Sequence, residues 1–297
     1  MGRRKTVLLA LVFSLFSLNV VYGAEGKQAT KPEYVKFAVE AEVPEELHGE
    51  YIPVLMYHHF ASRDMQSGNG IVATVTELED HLRYFKSQGY QIITLEKLDT
   101  LLRRVENDHS KSGKGLGFQE KYVCITMDDG YYSNYELAYP LFKKYRAPAS
   151  VFAVTDFVTE QHGLKKFRWK QAQEMDDSGW LKVYSHSADH VPAREGQEEA
   201  FLSCMQKSEL TLAENLKKTR VKAMAYPNGQ YTEKSQELLE EDGYVLQFTI
   251  EKGVITRETA RNAIPRITVE SGMTGRDLVR VIELAAEKAF AAEREGK

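Results

Sequence analysis

Strand-like and helix-like segments alternate along almost the whole of this sequence from Tyr51 onward. Short apolar runs such as YVCITM and ASVFAV have the length and composition of buried strands. Stretches such as TVTELEDHLRYFKSQG place apolar residues three or four positions apart and end at a glycine, as amphipathic helices do. This alternation predicts an α/β fold with a parallel sheet wrapped by helices. Seven or eight such units within residues 51–297 favour a barrel over an open, doubly wound sheet.

The predicted elements follow one another without a repeat of fixed period. The predicted strands are 51–57, 90–95, 122–127, 149–154, 181–185, 221–226, 244–250 and 263–269. The predicted helices are 74–89, 95–105, 134–145, 169–179, 198–218, 233–243 and 274–293. Pro140 lies inside the third of these helices, where it is an imperfection.

The first 23 residues have a different character. Three basic residues precede the apolar stretch TVLLALVFSLFSLNVV, and small residues follow up to Gly23. This is the pattern of a secretory signal peptide, and the apolar stretch is short for a full membrane span, so cleavage is favoured over retention as an anchor. Residues 24–50 are polar and acidic and predict a tether to a domain at 51–297. We therefore expect an exported protein that is secreted, periplasmic or at the cell surface, where it could be peripheral to the envelope.

The charge and the cysteine content of the sequence bear on which functions are plausible. The sequence has a formal net charge of −4, and removal of the basic signal segment would make the remainder more acidic. An acidic, exported chain is a poor candidate for nucleic-acid binding. The two cysteines, Cys124 and Cys204, could form a disulfide in an oxidising compartment. Cys124 lies in an apolar run, and both are interpreted as structural thiols.

Polar residues follow several of the predicted strands. In a barrel of parallel strands, the residues that follow the strands meet at one rim, which is where active sites lie. In chain order, the residues after four of the strands are His58 and His59; Asp128, Asp129 and Gly130; His186, Ser187 and His190; and Tyr226, Pro227, Asn228 and Gly229. Four of the eight histidines are in this set, which scattered surface histidines would not be expected to show.

The stretch SHSADH places His186 and His190 four residues apart. On one helical turn both imidazoles would point the same way and could bind one metal ion. A carboxylate from another strand end would complete a catalytic zinc-type site with an open position. One of Asp128 and Asp129 could then be the ligand while the other stays free as a base. A lone histidine pair is often just two exposed residues, and Asp-Asp-Gly alone is usually a turn, but the two together predict a metal site.

The motifs ITMDDGY and SHSADH resemble the first two motifs of the polysaccharide deacetylase family, also called the NodB-homology or carbohydrate esterase 4 group. The family wording is T-F-D-D-G and S-H-[ST]-x-x-H, and the resemblance extends from Tyr51 to Val269. The segments IPVLMYHHF, AYPNGQY and IPRITV are similar to the branch that acts on poly-β-1,6-N-acetylglucosamine. The resemblance implies a distorted (β/α) barrel with about seven parallel strands.

The resemblance also implies roles for the residues of the two motifs. Asp128 matches the general base, and the metal ligands match Asp129, His186 and His190. Ser187 lies where the family has a supporting serine or threonine. The implied cofactor is one divalent metal ion, zinc, with cobalt, nickel or iron as alternatives.

The third motif and the late histidine of the family depart from the usual pattern. The third motif usually reads R-P-P-Y-G, but AYPNG places Ala225 at the arginine position and Asn228 at the aromatic one. Arg266 in IPRI is the candidate replacement for the arginine that braces the catalytic aspartate, although a lone arginine near a chain end is often an ordinary surface residue. The late histidine of the family has no match after residue 190. His58 in VLMYH has the matching context and is the candidate general acid, with His59 as the competing choice.

The implied activity is metal-dependent hydrolysis of the acetamide group of N-acetylglucosamine units in an extracellular or cell-envelope polysaccharide. Tyr131, Tyr226 and Pro227 are the candidate substrate-binding residues, and Tyr132, Trp169 and Trp180 could also stack on sugars, although each aromatic could equally pack in the core. No protein partner is implied. Three alternatives stay open: a deacetylase of peptidoglycan or chitin-like oligomers, a non-catalytic carbohydrate-binding module, and a wall protein that uses metal only for stability.

Overall fold

A computed structural model describes residues 49–62, 70–108, 115–160, 163–217 and 220–295 of the chain. The predicted signal peptide 1–23 and the predicted tether up to residue 48 lie outside the described residues. All described residues belong to one compact unit. Among the helices of that unit, none combines the length and the apolar character that a bilayer crossing requires.

The described residues form ten strands and seven α-helices. The strands are β1 (Val54–Tyr57), β2 (His59–Ala61), β3 (Val72–Thr74), β4 (Tyr90–Ile93), β5 (Lys121–Met127), β6 (Ala149–Ala153), β7 (Leu181–Ser185), β8 (Ala223–Ala225), β9 (Leu246–Lys252) and β10 (Ile264–Thr268). The helices are α1 (Val75–Ser87), α2 (Leu95–Glu106), α3 (Tyr139–Tyr145), α4 (Trp169–Ser178), α5 (Glu198–Asn215), α6 (Glu233–Glu241) and α7 (Gly275–Glu295).

Seven strands, β1 and β5 to β10, form a closed ring in which every neighbouring pair is parallel. The ring closes at β1, where Leu55 lies opposite Ile125 of β5 on one side and Ile267 of β10 on the other. Strand β4 pairs only with the first half of β5 and stays outside the ring. The distorted (β/α) barrel predicted from the sequence is confirmed.

Side chains along β5 alternate between the inside and the outside of the barrel. Val123 and Ile125 pack in the outer cluster with the surrounding helices, whereas Cys124 packs in a second cluster with Phe152 and Phe248. Helix α2 contributes its leucines to that inner cluster. Near the start of α2, Glu96 accepts hydrogen bonds from Lys182 and Tyr184 of β7. The barrel is therefore filled where its strands begin, and the opposite rim is left for the functional residues.

Two local features of the fold were not predicted from the sequence. A short parallel pair, β2 with β3, places His59 opposite Val72 beside the rim. The predicted helix 134–145 is divided into a π-helical turn at Asn134–Ala138 and α3, which has Pro140 in its first turn. Proline is tolerated there because the first N–H groups of a helix have no intrahelical partner.

Candidate active site

The acid pair lies on a tight turn at the end of β5. The Asp128 N–H donates to the Tyr57 carbonyl of β1 at 3.0 Å, so Asp128 is still held by the barrel. Asp129 and Gly130 both have left-handed backbone conformations, with φ of 73° and 71°. A Cβ atom at Gly130 would lie 3.2–3.3 Å from Ala153 and the Phe167 ring. Glycine suits this position because a side chain is strained in the left-handed conformation and because its Cβ atom would press on Ala153 and Phe167.

Asp129, His186 and His190 converge on one point of the rim. The Oδ1 atom of Asp129 lies 3.6 Å from Nε2 of His186 and 3.4 Å from Nε2 of His190. One ligand atom from each residue lies within 4.8 Å of the other two, so a single ion could contact all three. Two imidazole nitrogens and a carboxylate oxygen are ligands that suit zinc, with room for a further ligand. The side chains present therefore fit the implied metal ion.

The two histidines are held by two hydrogen bonds, one to the end of β8 and one within their own loop. His186 is buried, and its Nδ1–H donates to the Ala225 carbonyl at 2.8 Å, which leaves Nε2 for a metal. Burial lowers the pKa of His186, which favours the neutral form that binds metals. The His190 N–H donates to Oγ of Ser187 at 3.0 Å. Ser187 thus supports the loop that carries the second histidine.

SHSADH does not form the helical turn on which both imidazoles would point the same way. Ser187 and His190 have positive φ values of 66° and 63°, so the segment is an irregular loop. The two imidazoles converge because left-handed residues turn the chain twice, and their ring centres lie 4.9 Å apart. The spacing of the motif was informative, but the helical geometry assumed for it was not.

Arg266 enters the site from β10. Its two terminal nitrogens donate to the two carboxylate oxygens of Asp128, and its Nε–H donates to the Thr249 carbonyl at 2.8 Å. A further bond from Arg266 reaches Oγ1 of Thr126 on β5 at 3.2 Å. The guanidinium group is fully buried, so Arg266 is not an ordinary surface residue.

His58 and His59 have different surroundings. Nδ1 of His58 is buried and has no hydrogen-bond partner among the described residues, while its carbonyl accepts from Asn134. Nδ1 of His59 lies 2.9 Å from Oγ of Ser133, and its ring meets the edge of Tyr131. Burial, together with the positive charge of Lys166, lowers the pKa of His59. The structure thus fixes His59 in a local network and leaves one nitrogen of His58 unused.

The expected substrate contacts of Tyr226 and Pro227 disagree with the structure. Tyr226 is fully buried, its ring lies between Phe201 and Tyr231, and its hydroxyl bonds to Gln247. Pro227 is also buried, because the chain after β8 turns inward in a short 3₁₀ turn at Pro227–Gly229. A ring packed on both sides offers no face to a sugar. We therefore leave both residues out of the proposed substrate-binding set.

Of the other aromatic residues predicted to contact a sugar, some are partly exposed near the site and one lies away from it. Tyr131 is half-buried beside the acid pair, and burial with the nearby charge of Asp129 raises the pKa of its hydroxyl, which stays protonated. Trp180 precedes β7, so it lies at the end of the barrel opposite the site and cannot stack on a substrate there. Trp169 and Tyr132 are partly exposed.

Three residues near the site were missed by the sequence analysis: Thr126, Ser133 and Lys166. Thr126 lies inside the quoted motif ITMDDGY and Ser133 lies two residues after it, so their place in the sequence was an available signal. Lys166 gave no signal, because it reaches Tyr131 from a loop more than thirty residues away. Cys124 and Cys204 are both free thiols.

Comparison with known proteins places the chain in a family. The family profile described as polysaccharide deacetylase matches residues 116–246. YxkH of Bacillus subtilis (strain 168), whose name assigns it to the polysaccharide deacetylases, is 31% identical over 228 residues, which cover 75% of this chain and 73% of YxkH. The chain belongs to the polysaccharide deacetylase family. It is accordingly a hydrolase of the N-deacetylase type, as the sequence motifs predicted.

Two further relatives agree with this assignment. The poly-β-1,6-N-acetyl-D-glucosamine N-deacetylase of Staphylococcus epidermidis is 27% identical over 208 residues, covering 67% of this polysaccharide deacetylase and 68% of that protein. The structure of the Streptococcus pyogenes deacetylase PplD in complex with acetate superposes with a TM-score of 0.67 at 24% identity, over 78% of this chain and 98% of PplD. The second similarity shows the shared barrel fold.

Proposed function

We propose that this protein is a metal-dependent N-deacetylase of N-acetylglucosamine units in an extracellular or cell-envelope polysaccharide, with poly-β-1,6-N-acetylglucosamine as its substrate. The observation that carries the proposal is that two adjacent aspartates on one turn have different surroundings. Asp128 is buried against Arg266, whereas its neighbour Asp129 faces His186 and His190. The choice of polymer is supported by the name of the staphylococcal relative.

Asp129, His186 and His190 would hold the metal ion. When bound, the ion supplies Lewis-acid polarisation of the acetamide carbonyl and activation of a water. The neutral imidazoles and the ionised carboxylate are the protonation states that this binding needs. The irregular loop that carries both histidines is fixed by Ser187 and by the Ala225 carbonyl, so the ligands are held before the ion binds.

Asp128 is the proposed general base. Arg266 keeps its carboxylate ionised and oriented, so Asp128 can accept the proton of the attacking water as the new carbon–oxygen bond forms. The negative charge that develops on the acetamide oxygen would be met by backbone N–H groups of Gly130 and Tyr131. Within the described residues, neither of these two N–H groups has a hydrogen-bond acceptor.

His58 is the proposed general acid. Its ring follows β1 on the rim that carries Asp128, and its charge acts on that carboxylate. Transfer of a proton from His58 to the nitrogen lets the carbon–nitrogen bond break, so acetate leaves and a glucosamine unit with a free amine remains. Each proton transfer is worth about 10²–10⁴-fold in rate.

The test is acetate release from a panel of acetylated polymers. Purified residues 24–297, loaded with zinc, are incubated with β-1,6-linked and β-1,4-linked N-acetylglucosamine oligomers and with peptidoglycan, and Asp128→Asn is the inactive control. We expect the β-1,6-linked oligomers to give the highest kcat/KM and a chelator to abolish turnover. A higher kcat/KM on chitin oligomers or peptidoglycan would instead identify the protein as a deacetylase of that polymer. Binding without turnover in the presence of metal would favour a carbohydrate-binding module.

We also propose that the protein is exported. The support is the basic, apolar and small-residue pattern of residues 1–23. Expression of the full chain followed by N-terminal sequencing should find a mature protein that begins near Ala24 outside the cytoplasm. An intact N-terminus in the membrane fraction would instead indicate an uncleaved anchor.

A further inference from the structure

The turn that carries the acid pair is bound by a second short segment, residues 165–167. The Tyr132 N–H donates to the Lys165 carbonyl at 2.7 Å, and the Phe167 N–H donates to the Gly130 carbonyl at 3.2 Å. Tyr131 and Lys166 therefore lie opposite each other as an antiparallel bridge. The two flanking residues of the Tyr131 peptide are thus fixed from one side by this segment.

The side chains of the bridged pair also contact each other. Nζ of Lys166 lies 3.7 Å from the centre of the Tyr131 ring, which is a close cation–π contact. The ring of His59 meets Tyr131 at 5.3 Å between centres and an interplanar angle of 79°. The carboxylates of Asp129 and Glu160 both act on the charge of Lys166. Lys166 is half-buried, while its neighbour Lys165 is exposed.

The Tyr131 N–H belongs to the peptide group between Gly130 and Tyr131, whose carbonyl accepts from the Phe167 N–H. The chain before Tyr131 has two consecutive left-handed residues, Asp129 and Gly130, and Gly130 packs closely on Phe167. A rotation of this peptide group, which turns the Tyr131 N–H, would also displace the Cα atom of Tyr131 and move its ring relative to Lys166. The cation–π contact therefore opposes the rotation that would misdirect this N–H group.

We propose that Lys166 is a positioning residue for the deacetylation reaction: its ammonium group, packed on the Tyr131 ring, holds the Tyr131 N–H toward the developing oxyanion. The inference rests on the proposed function, in which that N–H is an oxyanion donor. Oxyanion donors act only within a narrow range of distance, about 2.7–3.1 Å. A contact that fixes the donor should therefore affect kcat more than KM, because the charge exists only in the transition state.

The experiment compares Lys166→Met with Lys166→Arg and with the matched control Lys165→Met, all loaded with zinc. Methionine keeps the length and the apolar stem of lysine but removes the charge, whereas arginine keeps a cation that can stack on the ring. We expect Lys166→Met to lower kcat roughly three- to thirtyfold, the rate equivalent of one cation–π contact, with KM unchanged and no loss of zinc affinity. Lys166→Arg should recover most of the loss, and Lys165→Met should have wild-type kcat.

A double-mutant cycle with Tyr131→Leu identifies the contact itself. Without the ring, Lys166→Met should cause little further loss of kcat, since the two residues act as a pair. Independent losses that multiply, an unchanged kcat in Lys166→Met, or a loss confined to KM or to zinc affinity would each overturn the proposal.

A measurement without turnover separates this proposal from the proposed function. In ¹H–¹⁵N spectra of zinc-loaded protein, Lys166→Met should shift the amide resonance of Tyr131, and its further shift on titration with acetate should shrink. Lys165→Met should leave both unchanged. Identical Tyr131 resonances and acetate responses in the wild type and Lys166→Met would overturn the positioning role. Failure of the wild type to release acetate from any polymer would instead overturn the proposed function.

Discussion

Arg266 binds both carboxylate oxygens of Asp128, with its two terminal nitrogens at 2.8 and 2.7 Å. Both side chains are buried. Burial alone would raise the pKa of Asp128, but the charge of Arg266, aided by His186 and by the direct hydrogen bonds, holds this pKa well below its usual range. Asp128 is thus ionised at neutral pH and can accept a proton. The pair also ties β10 to the end of β5 across β1, through which the ring closes.

Replacement of Arg266 by methionine should therefore damage both stability and turnover. The change leaves a buried carboxylate without its counter-charge, which costs about 3–5 kcal/mol in comparable buried pairs. The free energy of unfolding, measured by urea titration, should fall by that order, and kcat should drop at least tenfold because Asp128 is no longer oriented.

Two further variants separate charge from geometry at this pair. Arg266→Lys keeps the charge but not the two-pronged bond, so it should retain more stability than activity. Arg266→Met with Asp128→Asn removes both charges and should be more stable than Arg266→Met alone. If the double variant and Arg266→Met have the same free energy of unfolding, the unpaired charge of Asp128 is not what destabilises Arg266→Met.

The barrel was predictable from the sequence because its determinants are local. The strands of the ring are short apolar runs, and several helices have a capping residue or a glycine at a boundary, as at Thr74, whose side chain accepts from the Glu77 N–H of α1. The division of the helix at 134–145 was less predictable. Its π-helical turn depends on contacts of Asn134 with the chain at His58, which local periodicity does not encode.

The site was predictable to the extent that its residues lie directly after strands. Asp129, His186 and His190 meet because parallel strands bring their ends to one rim. Burial of Tyr226 could not be foreseen, since it depends on α5 and on the turn after β8. The contact of Lys166 with Tyr131 arises from a loop that pairs with the acid turn only in the folded chain. Sequence motifs thus identify the reacting groups, and tertiary packing decides which neighbours fix them.

Replacement by asparagine should have different effects at the two adjacent aspartates. Asp129→Asn should weaken zinc binding roughly 10–100-fold, because an amide is a poorer ligand than a carboxylate. Asp128→Asn should keep zinc affinity near that of the wild type and lose kcat by about 10²–10⁴-fold, since only its proton transfer is removed. Isothermal titration with zinc and acetate-release kinetics on the same preparations measure both quantities. The reverse pattern would exchange the roles of the two residues.

A buried histidine that is not one of the metal ligands should make stability depend on pH. His81 on α1 is fully buried, with one ring nitrogen 2.8 Å from the Tyr57 hydroxyl and the other 2.8 Å from the Met273 carbonyl. Burial lowers the pKa of His81 below that of the unfolded chain, although the Met273 carbonyl and three nearby acidic residues act in the opposite direction. The unfolded chain therefore binds a proton more readily, and stability is lost as the pH falls through about 6.5.

The measurement is the melting temperature of the metal-free protein between about pH 7.5 and about pH 5.5. The wild type should lose stability across this window, and His81→Gln should lose less, although it starts from a lower value because two buried hydrogen bonds are altered. Both proteins are compared with a chelator present, so titration of the metal ligands contributes equally. Parallel curves for the two proteins would show that His81 does not cause the pH dependence.

The two consecutive histidines after β1 should have different roles, His58 as the general acid and His59 as a structural residue. A general acid must be protonated to act, and the lowered pKa of His59 leaves its ring neutral at neutral pH. His59 also has a structural role through Ser133 and the Tyr131 ring. His58 has a buried Nδ1 without a hydrogen-bond partner among the described residues, so that nitrogen has no structural role there.

His58→Ala should keep the fold and zinc affinity, lose about 10²–10⁴-fold in kcat, and remove the alkaline limb of the pH–rate profile. His59→Ala should cost about 1–2 kcal/mol in the free energy of unfolding and keep the alkaline limb, because it removes a hydrogen bond and a ring contact rather than the proton donor. Loss of the alkaline limb in His59→Ala, with a normal profile in His58→Ala, would transfer the acid role to His59.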